Sequence, residues 1–167
     1  LFGFFVTPRI HIRYEPVKGT TIRLSAGRGQ RTANIFAENN SVLVSSRKLN
    51  IINAAPGKAY GLDPEVAWNK GVSIDQKFRL LGREATISLD YFRNDFNNQV
   101  VVDLEKAGEV NFYNLDGRSF SNSFQAELNM EPVKKLELRL AYRYFYVKST
   151  YGGKELQRPL IANSRAF

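Results

Sequence analysis

The chain holds a single histidine, His11, inside the stretch TPRIHIRYEP. Imidazole is the side chain best suited to moving protons near neutral pH or ligating a transition metal, but either task needs partners at a defined spacing. There is no second histidine for a metal site, and no serine lies in a recognisable nucleophile motif. Cysteine is absent, which removes thiolate metal sites, catalytic thiols and disulfides together. No GxGxxG or Walker loop is present to cradle a phosphate. No catalytic residue, metal or cofactor is therefore expected, and His11 reads as a structural residue on a polar sheet face. A hydrolytic site pairing His11 with Ser or Asp on that face is the rival reading.

The other chemistry-bearing cluster is GRGQRTANIFAEN at residues 27 to 39, with Arg28, Arg31, Asn34 and Glu38 close together. Guanidinium and carboxylate groups form short, directional, charge-assisted hydrogen bonds. Such a set suits contacts between a strand end and the loop it enters, or between that loop and something bound. Anchoring of the loop base competes with binding. The net charge of +8 would suit nucleic acid, but Lys and Arg are spread singly rather than gathered in a run. No nucleic-acid partner is expected.

Around these residues the dominant period is two. Ile10, Ile12 and Tyr14 alternate with Arg9, His11, Arg13 and Glu15, as a strand with one wet face requires. The contrast returns from Trp68 to Leu80, from Ala85 to Tyr91, from Phe120 to Met130 and from Leu136 to Tyr146. The segment EPVK occurs twice, at residues 15 to 18 and 131 to 134, each time before another alternating run. Pro16 and Pro132 cannot donate to a ladder and are expected to end a strand cleanly, with Gly19 and Gly82 easing two tight turns. Connections alternate in length: EPVKG, LLGR and EPVKK are short, whereas residues 29 to 64, 105 to 118 and 149 to 162 are long. TANIFAE, residues 32 to 38, has room for one or two helical turns.

Alternate short and long connections place all tight turns at one end of an antiparallel sheet and all loops at the other. That is the pattern of an up-and-down transmembrane β-barrel. No run of eighteen apolar residues is present to cross a bilayer as a helix. A soluble sandwich or barrel, binding a partner or a carbohydrate, shares the period of two. Three features weigh towards the membrane. The strands are long, aromatics such as Tyr14, Trp68, Phe78, Tyr91, Tyr144 and Tyr146 sit towards strand ends on the apolar face, and the polar face carries both signs of charge. Trp68 and Tyr144 read as lipid-facing anchors. The fold expected is all-β: about six antiparallel strands and the start of a seventh at NSRAF, a segment of a larger barrel. Both chain ends read as internal to something longer.

The cluster at residues 27 to 39 resembles a segment of TonB-dependent outer-membrane receptors, in which Gly, an aromatic and Arg are followed by a small residue or Pro and then Glu. Gly29, Gln30, Arg31 and Glu38 hold those places, with Gln30 replacing the aromatic and Asn34 near the usual Pro. GLDPEVAWNKGVSIDQKF is similar to a second family segment through Pro64, Glu65, Trp68 and Gly71. With TPRIHIRYEP, NSFQAELNMEP and RPLIANSRAF, the resemblance spans nearly the whole chain and is to the C-terminal part of a Bacteroidetes-type receptor barrel. It implies a 22-stranded barrel in the bacterial outer membrane, filled by an N-terminal plug that this sequence lacks. It also implies TonB-driven uptake of a siderophore, cobalamin or glycan, with outer-membrane lipid, the plug and the TonB complex as partners. Under that resemblance Arg28, Arg31, Asn34 and Glu38 become contacts to ligand or plug.

Overall fold

The computed structural model describes residues 4–80, 82–151 and 154–157. Its main sheet contains β1 (Arg9–Val17), β2 (Thr20–Arg31), β4 (Glu65–Leu80), β5 (Arg83–Asn97), β8 (Ser119–Val133), β9 (Leu136–Tyr151) and β10 (Lys154–Gln157). These strands lie side by side in chain order and every pairing is antiparallel. Strands β4, β5, β8 and β9 run for 15 or 16 residues, well beyond the mean of about 5–6 in globular proteins.

The register aligns side chains into rows that cross the sheet. Ile22, Ile74, Leu89, Ala126 and Tyr142 form one row, and Leu24, Val72, Tyr91, Phe124 and Tyr144 form the next towards the loops. Towards the turns come Thr20, Gln76, Ile87, Leu128 and Leu140, then Phe78, Ala85, Met130 and Leu138. None of these four rows carries a charge. The opposite face holds rows such as Thr21, Asp75, Ser88, Glu127 and Ala141. Among the described residues nothing covers the apolar face: Ile10 is 56% exposed, Leu140 54% and Tyr142 46%. A sandwich would bury that face against a second sheet, and among the described residues no such sheet lies on it.

Both EPVK copies take the same local form, which corrects the expectation that their prolines end the strands. Tyr14 pairs with Ile22 and Val17 with Thr20, so Glu15 and Pro16 together oppose Thr21 in a bulge. Met130 pairs with Leu138 and Val133 with Leu136, so Glu131 and Pro132 likewise oppose Glu137. Proline is tolerated there because a bulged residue is excused from the ladder. Each hairpin then closes through two residues, and the second has left-handed φ: +92° at Gly19 and +68° at Lys135. Glu131 Oε1 accepts from the Lys135 amide at 2.8 Å and steadies the second turn.

The connections are folded: the helical turn for which TANIFAE has room is present, and the elements beyond it depart from the plain loops the sequence suggests. After β2 come two single-turn helices, α1 (Ile35–Glu38) and α2 (Asn40–Leu43), then β3 (Lys48–Ile51) and a 3-10 turn at Ala59–Gly61. After β5 come β6 (Val100–Asp103) and β7 (Glu109–Asn114), and β3 pairs with β7 in parallel to build a separate sheet in the order β3-β7-β6. Ile35, Leu62, Val110 and Phe112 form its buried core, which includes no residue of the main sheet. The third connection also differs from the loop expected at residues 149 to 162. There β9 runs on to Tyr151 and pairs with β10. The strand start expected at NSRAF lies outside the described residues.

Lys135 occupies a backbone region that costs an L-residue about 1–2 kcal/mol and glycine nothing. Lys135→Gly should therefore stabilise the barrel by up to about 1 kcal/mol in urea unfolding from lipid vesicles, while Gly19→Lys should destabilise it by a similar amount.

Candidate functional site

The polar cluster sits where β2 and β4 leave the main sheet. Arg31 and Glu65 are the last cross-strand pair of these strands, so they share a face. Arg31 Nε donates to Glu65 Oε2 at 2.5 Å, and its terminal nitrogens reach Glu38 at 3.2 and 3.3 Å. The other Glu65 oxygen accepts from the Val100 amide at 2.8 Å, tying the start of β6 to the same point. One guanidinium thus joins the main sheet to α1 through Glu38 and, by way of Glu65, to the second loop.

The helical turn is built to present Glu38. Asn34 is its N-cap, with Oδ1 accepting from the Ala37 amide at 3.1 Å, while Glu38 Oε1 accepts from the Asn34 amide at 3.0 Å. This reciprocal exchange resembles a capping box displaced by one residue. Tyr60 donates its hydroxyl to Asn34 Oδ1 at 3.2 Å and packs edge-on against Phe36, with ring centroids 5.4 Å apart. Tyr60 has φ of +55°, unusual for a bulky residue. Nearby, Asn114 donates to the carbonyls of Asp63 and Asn98 at 3.0 and 2.7 Å, while its Oδ1 accepts from the Asp63 amide at 2.7 Å. The two loops are therefore stitched together at their base.

Arg31, Asn34 and Glu38 come together, but Arg28 does not join them. Its register partner is Trp68, so it lies on the apolar-face parity, where it donates to the Val6 carbonyl at 2.7 Å and to Gln30 at 2.8 Å. A one-residue offset along a strand reverses the face, so no single surface contains both arginines. Trp68 and Tyr144 share a face, two rows apart. His11 stands opposite Ser25 on the polar face, with no hydrogen bond between them.

Glu65, Tyr60 and Asn114 carry much of this geometry. Glu65 was visible in sequence only as part of a Pro-Glu pair, and Asn114 lies in a run, EVNFYN, whose alternation marks a strand. In the loop sheet, Lys106 donates to Glu109 at 2.8 Å and holds its carboxyl below the usual glutamate range, with Lys48 and Asn50 assisting. On the main sheet's polar face, Glu127 accepts from Arg139 and Asn129, both at 2.7 Å, and Asp75 pairs with Arg23 and accepts from Ser88 at 2.7 Å. The same face has an aromatic shelf. Phe92 lies over Gly71, where a Cβ would come within 2.3 Å of its ring, and with Phe145, Arg143 and Asp90 it lines a cavity of about 330 Å³.

The main sheet is a segment of an antiparallel up-and-down β-barrel, polar on one face and apolar on the other, with structured loops at one end. A family model described as TonB dependent receptor-like, beta-barrel, matches residues 2–164. The chain belongs to that family, whose members are receptors and transporters of the bacterial outer membrane rather than enzymes. No curated protein and no solved structure matches it.

Removing the guanidinium should free α1 while leaving the barrel intact. In the complete receptor, Arg31→Ala should lower amide-exchange protection across Ile35–Asn39 by about tenfold, the equivalent of about 1.4 kcal/mol. Protection across β8 and β9 should be unchanged.

Proposed function

We propose that this chain forms part of the wall and extracellular mouth of a receptor that imports a large, scarce nutrient, of the siderophore, cobalamin or glycan class, by TonB-dependent transport. The observation that carries this reading is the apolar face: four charge-free rows of long strands, uncovered, with every folded loop at one end. In water that face would drive aggregation. In a bilayer it is the lipid-facing surface.

On this reading the polar face lines the lumen. Its paired charges and the Phe92–Phe145 shelf meet water and a plug domain encoded outside this sequence. Arg31, Asn34 and Glu38 stand at the mouth, where they hold the loop base and contact ligand or plug. Arg28 belongs to the outer rim by parity. Trp68 and Tyr144 act as interfacial anchors, since an amphipathic aromatic ring is most stable at the headgroup level. The loop core of Ile35, Leu62, Val110 and Phe112 gives the ligand-facing surface a fixed shape, which reduces the ordering cost of binding.

The test is uptake by cells carrying the complete receptor, with labelled siderophore, cobalamin and oligosaccharide offered separately. One class should accumulate, and deletion of TonB should abolish accumulation while leaving surface binding in place. Accumulation that persists at the same rate without TonB would contradict the reading.

A further inference from the structure

The aromatic shelf on the polar face belongs to one row of the sheet. Ser25, Gly71, Phe92, Ser123 and Phe145 are successive register partners, so the two rings flank Ser123 at two strand spacings, about 10 Å. Phe92 lies over Gly71, where any side chain would collide with its ring. The ring therefore sits towards β4, and the floor at Ser123 stays open. The next row towards the turns brings Asp90, Gln125 and Arg143 under the rings, two residues or about 7 Å along the strands. Arg143 lies over the Phe145 ring at 5.7 Å from its centroid. It donates to Gln125 Oε1 through Nε at 2.8 Å and through one terminal nitrogen, which leaves the other terminal nitrogen without an acceptor among the described residues. Asp75 and Glu127 are each paired with an arginine, whereas among the described residues the Asp90 carboxylate has no ion pair or hydrogen bond.

These groups suit a neutral ring edged with hydroxyls. The C–H face of a sugar ring rests on an aromatic face, while its hydroxyls need acceptors and donors together. Asp90 only accepts, Arg143 only donates and Ser123 does both. A ligand with a net charge would meet one of the two ions unfavourably. The cavity of about 330 Å³ is at the small end of ligand pockets, about 300–1,000 Å³. It holds one or two rings of a chain, not a corrin or a chelated metal. Towards the mouth the next row reads Gly27, Asn69, Asn94, Ser121 and Val147, without a charge. Asn69 donates to Asn94 at 2.6 Å and Asn94 to Ser121 at 3.3 Å, so amides and a hydroxyl lead to the shelf. The shelf itself is level with the loop end of the apolar face, between the row of Tyr91, Phe124 and Tyr144 and the row of Lys70 and Arg93. It is therefore in the half of the wall nearer the mouth.

On the transport reading proposed above, on which this rests, we infer that Phe92, Phe145, Asp90, Arg143 and Ser123 form a sugar-ring subsite on the lumen wall, and that the imported nutrient is a neutral oligosaccharide. One ring of the chain lies against Phe92 and Phe145. Its hydroxyls donate to Asp90 and accept from Arg143, and Ser123 contacts the ring from the floor. Gln125 holds the guanidinium in place. Gly71 acts as a specificity residue at one remove, because its missing side chain lets the Phe92 ring lie clear of the floor.

The test is titration calorimetry of the complete receptor in lipid nanodiscs, with maltohexaose, xylohexaose and mannohexaose as probes beside cobalamin and a ferric tris-catecholate. At least one hexasaccharide should bind, and the other two classes should not. Phe92→Leu, which still covers Gly71 but removes the ring, should weaken saccharide binding about tenfold, and Phe92→Trp should keep it within about twofold. Asp90→Ala should weaken it about tenfold through the lost charged acceptor, and it carries the same test if Phe92→Leu does not assemble. Lys77→Gln, on the same face nearer the turns, should have no effect. Binding of no hexasaccharide would overturn the inference, as would saccharide affinities within about twofold of wild type in both Phe92→Leu and Asp90→Ala. TonB-dependent accumulation of cobalamin or the chelate instead would overturn the sugar subsite and leave the transport reading standing, whereas accumulation independent of TonB would overturn that reading.

Discussion

Backbone hydrogen bonding in unbroken antiparallel register is the constraint on which everything else in this chain depends. In hydrocarbon a peptide group finds no water, so each must be satisfied by the neighbouring strand. Twelve consecutive pairs join β2 to β4 and fifteen join β4 to β5. An uninterrupted ladder also fixes parity, because a slip of one residue would turn every Leu and Tyr of the outer face inward. The two bulges are confined to Glu15–Pro16 and Glu131–Pro132, at the turn end, where the strands leave the apolar band and the ladder can lose a bond.

The folding logic inverts that of a soluble domain. The described wall keeps its large hydrophobics exposed, and the compact hydrophobic cluster of Ile35, Leu62, Val110 and Phe112 lies in the loops. Water drives that small core together, whereas the wall relies on lipid to cover Leu138, Leu140 and Tyr142. Arg31, Glu38 and Glu65 lie at the junction of these two regimes. Their mutual pairing ties a water-folded unit to a lipid-folded one.

The wall was readable in sequence because alternation is local: each strand states its own faces, and the repeated EPVK marks a repeated turn. The loop sheet was much less readable, since the parallel pairing of β3 with β7 joins residues 48–51 to 109–112, and no local signal specifies a partner so distant. Arg28 shows a finer limit. Its proximity to Arg31 in sequence suggested one cluster, yet parity separates them, and only the pairing of Arg28 with Trp68 reveals it. Gly71 offered a further clue. A glycine in the middle of a strand marks a close approach, here the ring of Phe92.

The account stands on which face meets lipid, and β9 allows that to be tested with two adjacent residues. Leu140 lies in one of the two inner rows of the apolar face, whereas Ala141 lies on the polar face opposite Glu127. The measurement is the unfolding free energy of the complete receptor in lipid vesicles, taken from denaturant titration. Leu140→Arg should cost about 2–4 kcal/mol, as a cation does near the bilayer midplane, and Ala141→Arg should cost no more than about 0.5 kcal/mol. Equal costs at the two positions, or a larger cost at Ala141, would contradict the assignment of faces and the barrel-wall reading built on it.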